Sequence, residues 1–101
     1  MIGIVDYNMG NLASVQNAFA KLGEKTVIES DPNNFQNYDK LILPGVGAFG
    51  DAMEHLRERN MIKPLQDFAQ SGKYMLGICL GMQLLFDSSE EFGQHEGLGI
   101  I

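Results

Sequence analysis

A single cysteine, Cys79, is all the thiol that this 101-residue chain carries. No disulfide can close within it, so the chain reads as a protein of a reducing, cytoplasmic compartment. Basic residues are scarce too: 7 lysines and arginines stand against 13 aspartates and glutamates, for a net charge of −6. Nucleic acid and anionic membranes both demand a basic footprint, so neither is expected as a partner. Arg57, Arg59 and Lys63 fall near one another, but Glu54, Glu58 and Asp67 are interspersed, which describes a solvated helix face. No basic N-terminal segment leads into a long apolar run, so neither a signal peptide nor a membrane span is expected. Internal repeats and low-complexity linkers are missing as well. What is there, 45% hydrophobic and 20% charged residues, is the composition of one globular domain with a single core.

The hydrophobic pattern alternates between short apolar runs and helical stripes. Met1–Val5 is fit for a buried strand, and Gly3 and Val5 leave it no polar face, so it is expected at the centre of the sheet. Turn chemistry follows at Asp6–Asn11. Leu12, Val15, Phe19 and Leu22 then recur at helical spacing, and Gly23 stops the helix. A second strand at 26–29 ends at Asp31-Pro32, and a third at 40–43 ends at Pro44-Gly45. Phe49, Met53 and Leu56 outline one helix, and Ile62, Leu65, Phe68 and Ala69 another; a fourth strand is expected at 74–78. Strands alternating with helices over short loops predict an α/β fold: an open, mainly parallel sheet with helices on both faces. Asp87–Gly97 reads as a polar surface loop with a turn of helix. Leu98–Ile101 is an apolar, β-branched run that reads as the start of one more strand. Residues 1–101 are therefore expected to be the N-terminal part of a single, truncated domain.

The chemistry concentrates at Gly77-Ile78-Cys79-Leu80-Gly81-Met82-Gln83. An apolar run precedes it and Leu84-Leu85-Phe86 follows at helical density. Strand, tight turn and helix with a nucleophile between two glycines is the pattern of a nucleophile elbow, with cysteine in place of serine. The turn is sharp enough that side chains two positions either side of the nucleophile would collide. The helix behind it aims its unpaired N–H groups at the sulfur, which favours negative charge there. The plainer alternative is a buried structural cysteine, but a packing residue has no need of so strained a turn.

In an open parallel sheet, ligands gather at the carboxyl ends of the strands. Asp6–Asn11, Pro44–Gly50 and Cys79 all fall at that edge. The glycines of Pro44-Gly45-Val46-Gly47-Ala48-Phe49-Gly50 let backbone N–H groups face a neighbour closely. Beside a thiolate their useful task is to hold the oxyanion formed when a carbonyl is attacked. The N–H of Leu80 is one expected donor, and Val46 or Gly47 supplies the other. A plain turn whose glycines only permit positive φ is the alternative. A cysteine nucleophile also needs a base, and the chain offers only His55 and His95. His55 lies within a helix leading away from the edge and His95 in a polar loop, so the expected base is missing.

Gly77–Gln83 resembles the nucleophile motif of class I (triad-type) glutamine amidotransferases. Asp6-Tyr7-Asn8-Met9-Gly10-Asn11-Leu12 and Pro44-Gly45-Val46-Gly47-Ala48-Phe49 narrow the likeness to glutaminase subunits of imidazole glycerol phosphate synthase. The resemblance spans the whole chain and implies a flavodoxin-like three-layer αβα domain. It implies that Cys79 attacks the side-chain amide of glutamine, releasing ammonia and leaving a glutamyl thioester for water. The Val46–Gly47 peptide and the Leu80 N–H would form the oxyanion hole, the loop peptide reorienting when a partner signals. Gln83 would hydrogen-bond the bound glutamine, and Glu91 would pair with its α-amino group. Asn11 would lie at the interface with a cyclase subunit, a (β/α)8 barrel that receives the ammonia internally. No cofactor or metal is implied. The family's late histidine and glutamate have no counterpart in these residues.

Read without the family, Gln83 is a solvent-facing helix residue and Glu91 a solvated loop carboxylate. Two other functions fit the same residues: a glutaminase feeding a different synthase, such as one that amidates a sugar, and a catalytically silent docking module. A stress-type cysteine hydrolase or chaperone fits less well, having no use for Gln83 or the Pro44–Gly47 loop. A sheet cut short would leave an apolar edge, so self-association of residues 1–101 is expected.

Overall fold

The computed structural model describes residues 1–85, 88–89 and 95–100, with backbone alone for Leu80, Ser88, Ser89, His95 and Glu96. Strands β1 (Ile2–Val5), β2 (Thr26–Glu29), β3 (Lys40–Leu43) and β4 (Tyr74–Gly77) form one sheet in the order β2-β1-β3-β4. Every pairing is parallel. The strands fall where the apolar runs placed them, and β1 is an interior strand with Ile4 and Val5 fully buried.

Helix α1 (Leu12–Lys21) joins β1 to β2. Asn11 starts it, its side-chain oxygen accepting from the Ser14 N–H at 3.1 Å. Gly23 ends it: with φ at 82°, its N–H reaches the Ala20 carbonyl, and the Glu24 N–H reaches that of Phe19. These paired bonds satisfy carbonyls that a helix end leaves orphaned. A 3-10 helix, Pro32–Asn37, occupies the β2–β3 connection where the sequence suggested only a strand stop. Asp31 caps it by accepting from the Asn33 N–H at 2.9 Å, with Pro32 in the first turn.

Helices α2 (Phe49–Glu58) and α3 (Ile62–Gln70) connect β3 to β4. Strand register puts Gly3, Val5, Leu41 and Leu43 on one face, where the core lies. Phe35, Phe49, Leu56, Leu65 and Phe68 are fully shielded within it. The opposite face, with Ile2, Ile4, Ile42 and Leu76, meets α1, none of whose residues is fully buried. A hollow of about 270 Å³ opens there between Phe19, Ile2, Ile42 and Leu76. Tyr74 and Leu76 on β4 stay 77% and 50% exposed. One face is thus densely packed and the other thinly covered.

Helix α4 (Leu80–Leu84) follows β4. Beyond it the structure departs from expectation twice. Within the stretch read as a polar loop, β5 (Ser88–Ser89) and β6 (His95–Glu96) pair antiparallel. Over 98–100, the described part of the apolar run, the chain is not in a strand: the N–H groups of Leu98 and Ile100 donate to the carbonyls of Leu84 and Leu85, both at 2.8 Å. Helix-end acceptors take up backbone donors that a sheet neighbour would otherwise have used. Leu98 itself is buried against the core. Among the described residues no helix is long and apolar enough to cross a membrane.

Gly3 is a tight point at the middle of the core face. A Cβ there would stand 2.9 Å from the Tyr38 ring and 3.0 Å from Leu41. Overpacking of this kind costs about 1–3 kcal/mol. Gly3→Ala is expected to lower the urea midpoint correspondingly with an unchanged slope, and equal stability would show that the ring can move aside.

Candidate functional site

Strand β4 ends at Gly77, and the Ile78 N–H donates to the Leu43 carbonyl at 3.0 Å, continuing the ladder by one bond. Cys79 then turns the chain with φ 55° and ψ −123°, and Leu80 begins α4. Such a conformation costs a side-chain-bearing residue about 1–3 kcal/mol, so surrounding structure must hold it. The two glycines do so by having no Cβ. One on Gly77 would lie 2.5 Å from the Met82 Cα, and one on Gly81 would lie 1.8 Å from the Leu43 carbonyl oxygen. Helix α4 therefore rests directly on the end of β3, and the thiol of Cys79 is left exposed.

The neighbouring loop is anchored at its root. Pro44 and Gly45 are buried, whereas Val46 and Gly47 are exposed, Gly47 at φ 97°. The β1–α1 loop packs on the same point: a Cβ on Gly10 would meet the Gly45 nitrogen and the Pro44 Cβ, each at 3.3 Å. Tyr7, fully buried, donates its hydroxyl to the Pro44 carbonyl at 2.5 Å. The loops after β1, β3 and β4 thus meet at one edge of the sheet, as the parallel topology requires.

These observations converge on a family. Residues 5–101 match the CobB/CobQ-like glutamine amidotransferase domain. The chain belongs to that family. A relative from Sulfurimonas denitrificans, named imidazole glycerol phosphate synthase subunit HisH, is 78% identical over the whole chain, which covers 49% of that protein. A Wolinella succinogenes protein of the same name is 62% identical over the whole chain and is likewise 49% covered. A solved structure described as a glutamine amidotransferase superposes with a TM-score of 0.82 at 19% identity, over 99% of this chain and 52% of the other. That likeness shows the fold, and the chain spans about half the length of the curated relatives it matches.

The residues singled out for this family are placed as follows. Cys79 stands at the elbow, and Val46 and Gly47 stand in the loop after β3. Gln83 lies on α4, one helical turn after Cys79, with its side chain exposed. Asn11 is exposed in the β1–α1 loop and already serves as the cap of α1. Glu91 lies outside the described residues, as does the side chain of His95. His55 is half-buried on α2, its Nδ1 3.1 Å from the Arg59 guanidinium. With Met9, Gly47 and Asp51 it lines a hollow of about 260 Å³ whose wall does not include Cys79. Among the described residues no group of three or more acidic, histidine or cysteine side chains is placed to hold a metal.

Sequence reasoning gave Tyr7 and Met9 no role beyond their place in the Asp6–Leu12 motif. An aromatic two residues after a strand, set among turn residues, was the available signal. Loop tips are ordinarily wet, and a buried ring there marks a packing point.

Since Gly81 has no room for a methyl group, Gly81→Ala must push α4 off β3. The variant is expected to lose about 3 kcal/mol or more, with accelerated amide exchange at Ile78, whose bond to Leu43 would open. Parent-like stability together with unchanged exchange would contradict this geometry.

Proposed function

We propose that residues 1–101 are the N-terminal part of a single glutamine amidotransferase domain that hydrolyses glutamine to glutamate and ammonia. The ammonia passes to a (β/α)8 cyclase subunit that makes imidazole glycerol phosphate in histidine biosynthesis. The observation that carries this reading is the 78% identity to a protein named as a subunit of that synthase, and the strained Cys79 elbow supports it.

In this reading the Cys79 sulfur attacks the side-chain amide carbon of glutamine. Charge gathers on the amide oxygen, where the Leu80 N–H and the Val46–Gly47 peptide stabilise it. The carbon–nitrogen bond breaks as nitrogen takes a proton, ammonia leaves, and water later cleaves the thioester. Gln83 hydrogen-bonds the bound glutamine, and Glu91 pairs with its α-amino group. Asn11 and its loop face the cyclase. A direct passage matters because ammonia released into neutral water is protonated and loses its nucleophilic lone pair.

The base that handles these protons lies beyond this segment. His55 lines a hollow that excludes Cys79 and is engaged by Arg59. General acid–base help is typically worth about 10²–10⁴ in rate, so residues 1–101 alone turn over no measurable glutamine. The complete protein works in the cytoplasm as a heterodimer with the cyclase. The short segment self-associates through β4, whose Tyr74 and Leu76 remain largely exposed.

Glutamate release is the deciding assay, run on the whole reading frame with cyclase and on residues 1–101 with cyclase. The whole frame is expected to turn over and its Cys79→Ala variant to be silent, while the segment stays silent as well. Release by the segment above its Cys79→Ala control would show that His55 or His95 acts as base. Silence of the whole frame would favour a docking module. Within the active protein, Gln83→Ala is expected to raise KM for glutamine about tenfold with a smaller change in kcat.

A further inference from the structure

The buried hydroxyl of Tyr7 has no part in the chemistry above, yet it reaches the root of the loop that carries the oxyanion donors. It donates to the Pro44 carbonyl at 2.5 Å. Burial pushes this phenol above the ordinary tyrosine range, so it stays protonated and remains a donor throughout the working pH range. Gly10 closes on the same peptide from the same loop, while Gly81 approaches the Pro44 carbonyl carbon from the elbow, a Cβ there lying 3.2 Å away. A second contact comes at the loop tip, where the Met9 methyl would touch a Cβ on Gly47 at 3.5 Å. The β1–α1 loop thus touches the β3–α2 loop at its buried root and at its exposed, positive-φ residue.

We propose that Tyr7 is a positioning residue for the oxyanion peptide. Its hydroxyl fixes the Pro44 carbonyl and through it the resting orientation of Val46–Gly47. The inference rests on the glutaminase reading of Val46–Gly47. Its physical basis is local. A buried carbonyl that loses this hydroxyl donor must find another partner or turn toward water. The peptide that turns is joined through Gly45 to Val46.

Tyr7→Phe removes the donor and keeps the ring. In the protein expressed from its whole reading frame, amide exchange across residues 45–48 is expected to speed up about tenfold. Tyr38→Phe is the control, because it also deletes a hydroxyl bond, to Glu29 at 2.8 Å, but away from this loop. It is expected to leave exchange at 45–48 unchanged. The ratio of cyclase-stimulated to unstimulated kcat should fall at least about threefold in Tyr7→Phe, with KM for glutamine little changed. Met9→Ala tests the same link at the loop tip should the Tyr7 variant fail to fold, and is expected to speed exchange at Gly47 and Ala48. Unchanged exchange at 45–48 in both loop variants, or equal acceleration by Tyr38→Phe, overturns the proposal. A parent protein that shows no turnover with cyclase overturns the glutaminase reading instead; exchange, which needs no glutamine, still reports on the tie between Tyr7 and the loop.

Discussion

The site depends on a close approach that leaves no room for one methyl group. Helix α4 lies on the carboxyl end of β3 so tightly that a Cβ on Gly81 would fall 1.8 Å from the Leu43 oxygen. That contact forces Cys79 into positive φ, since only a turn of this sharpness returns the chain onto β3 so quickly. It also sets the hydrogen bonding around it. Leu43 gives its carbonyl to Ile78, and the next carbonyl, that of Pro44, is left for Tyr7. Cys79 and the loop beside it are thereby registered to two successive peptide units at the end of β3.

The rest of the fold serves this edge unevenly. The core face, built on Val5, Leu41 and Leu43 and covered by α2 and α3, is closed and supplies the rigidity. The other face has α1 alone, and β4 carries exposed Tyr74 and Leu76 at the sheet margin. A strained turn persists only where its supports are stiff. Here the stiff side is that of Phe49, Ala52 and Leu56 on α2, which begins within the loop that follows Pro44.

Much of this was legible in the sequence, for physical reasons that can be named. The four strands are short apolar runs closed by glycine, proline or aspartate, and such punctuation is local chemistry that tertiary packing seldom overrides. The elbow was legible because two glycines flank a lone cysteine, and a side chain at either would strike the backbone of Met82 or Leu43. The 98–100 stretch misled because an apolar run states that it will be buried, not which acceptors its N–H groups will find. Those acceptors, on Leu84 and Leu85, are set by tertiary placement of α4. Tyr7 went unread for a similar reason. Its ring and hydroxyl gain meaning only once the loop after β1 folds over Pro44, a residue 37 positions away.

The role proposed for Cys79 is nucleophilic attack on a glutamine amide. Site-resolved covalent labelling tests it most directly. The whole reading frame, with cyclase, is treated with an electrophilic glutamine analogue, digested, and the adduct located by mass spectrometry. The expected result is modification of Cys79 alone, suppressed by free glutamine and accelerated by the cyclase. An adduct elsewhere, or labelling of Cys79 that glutamine does not protect, would contradict the account.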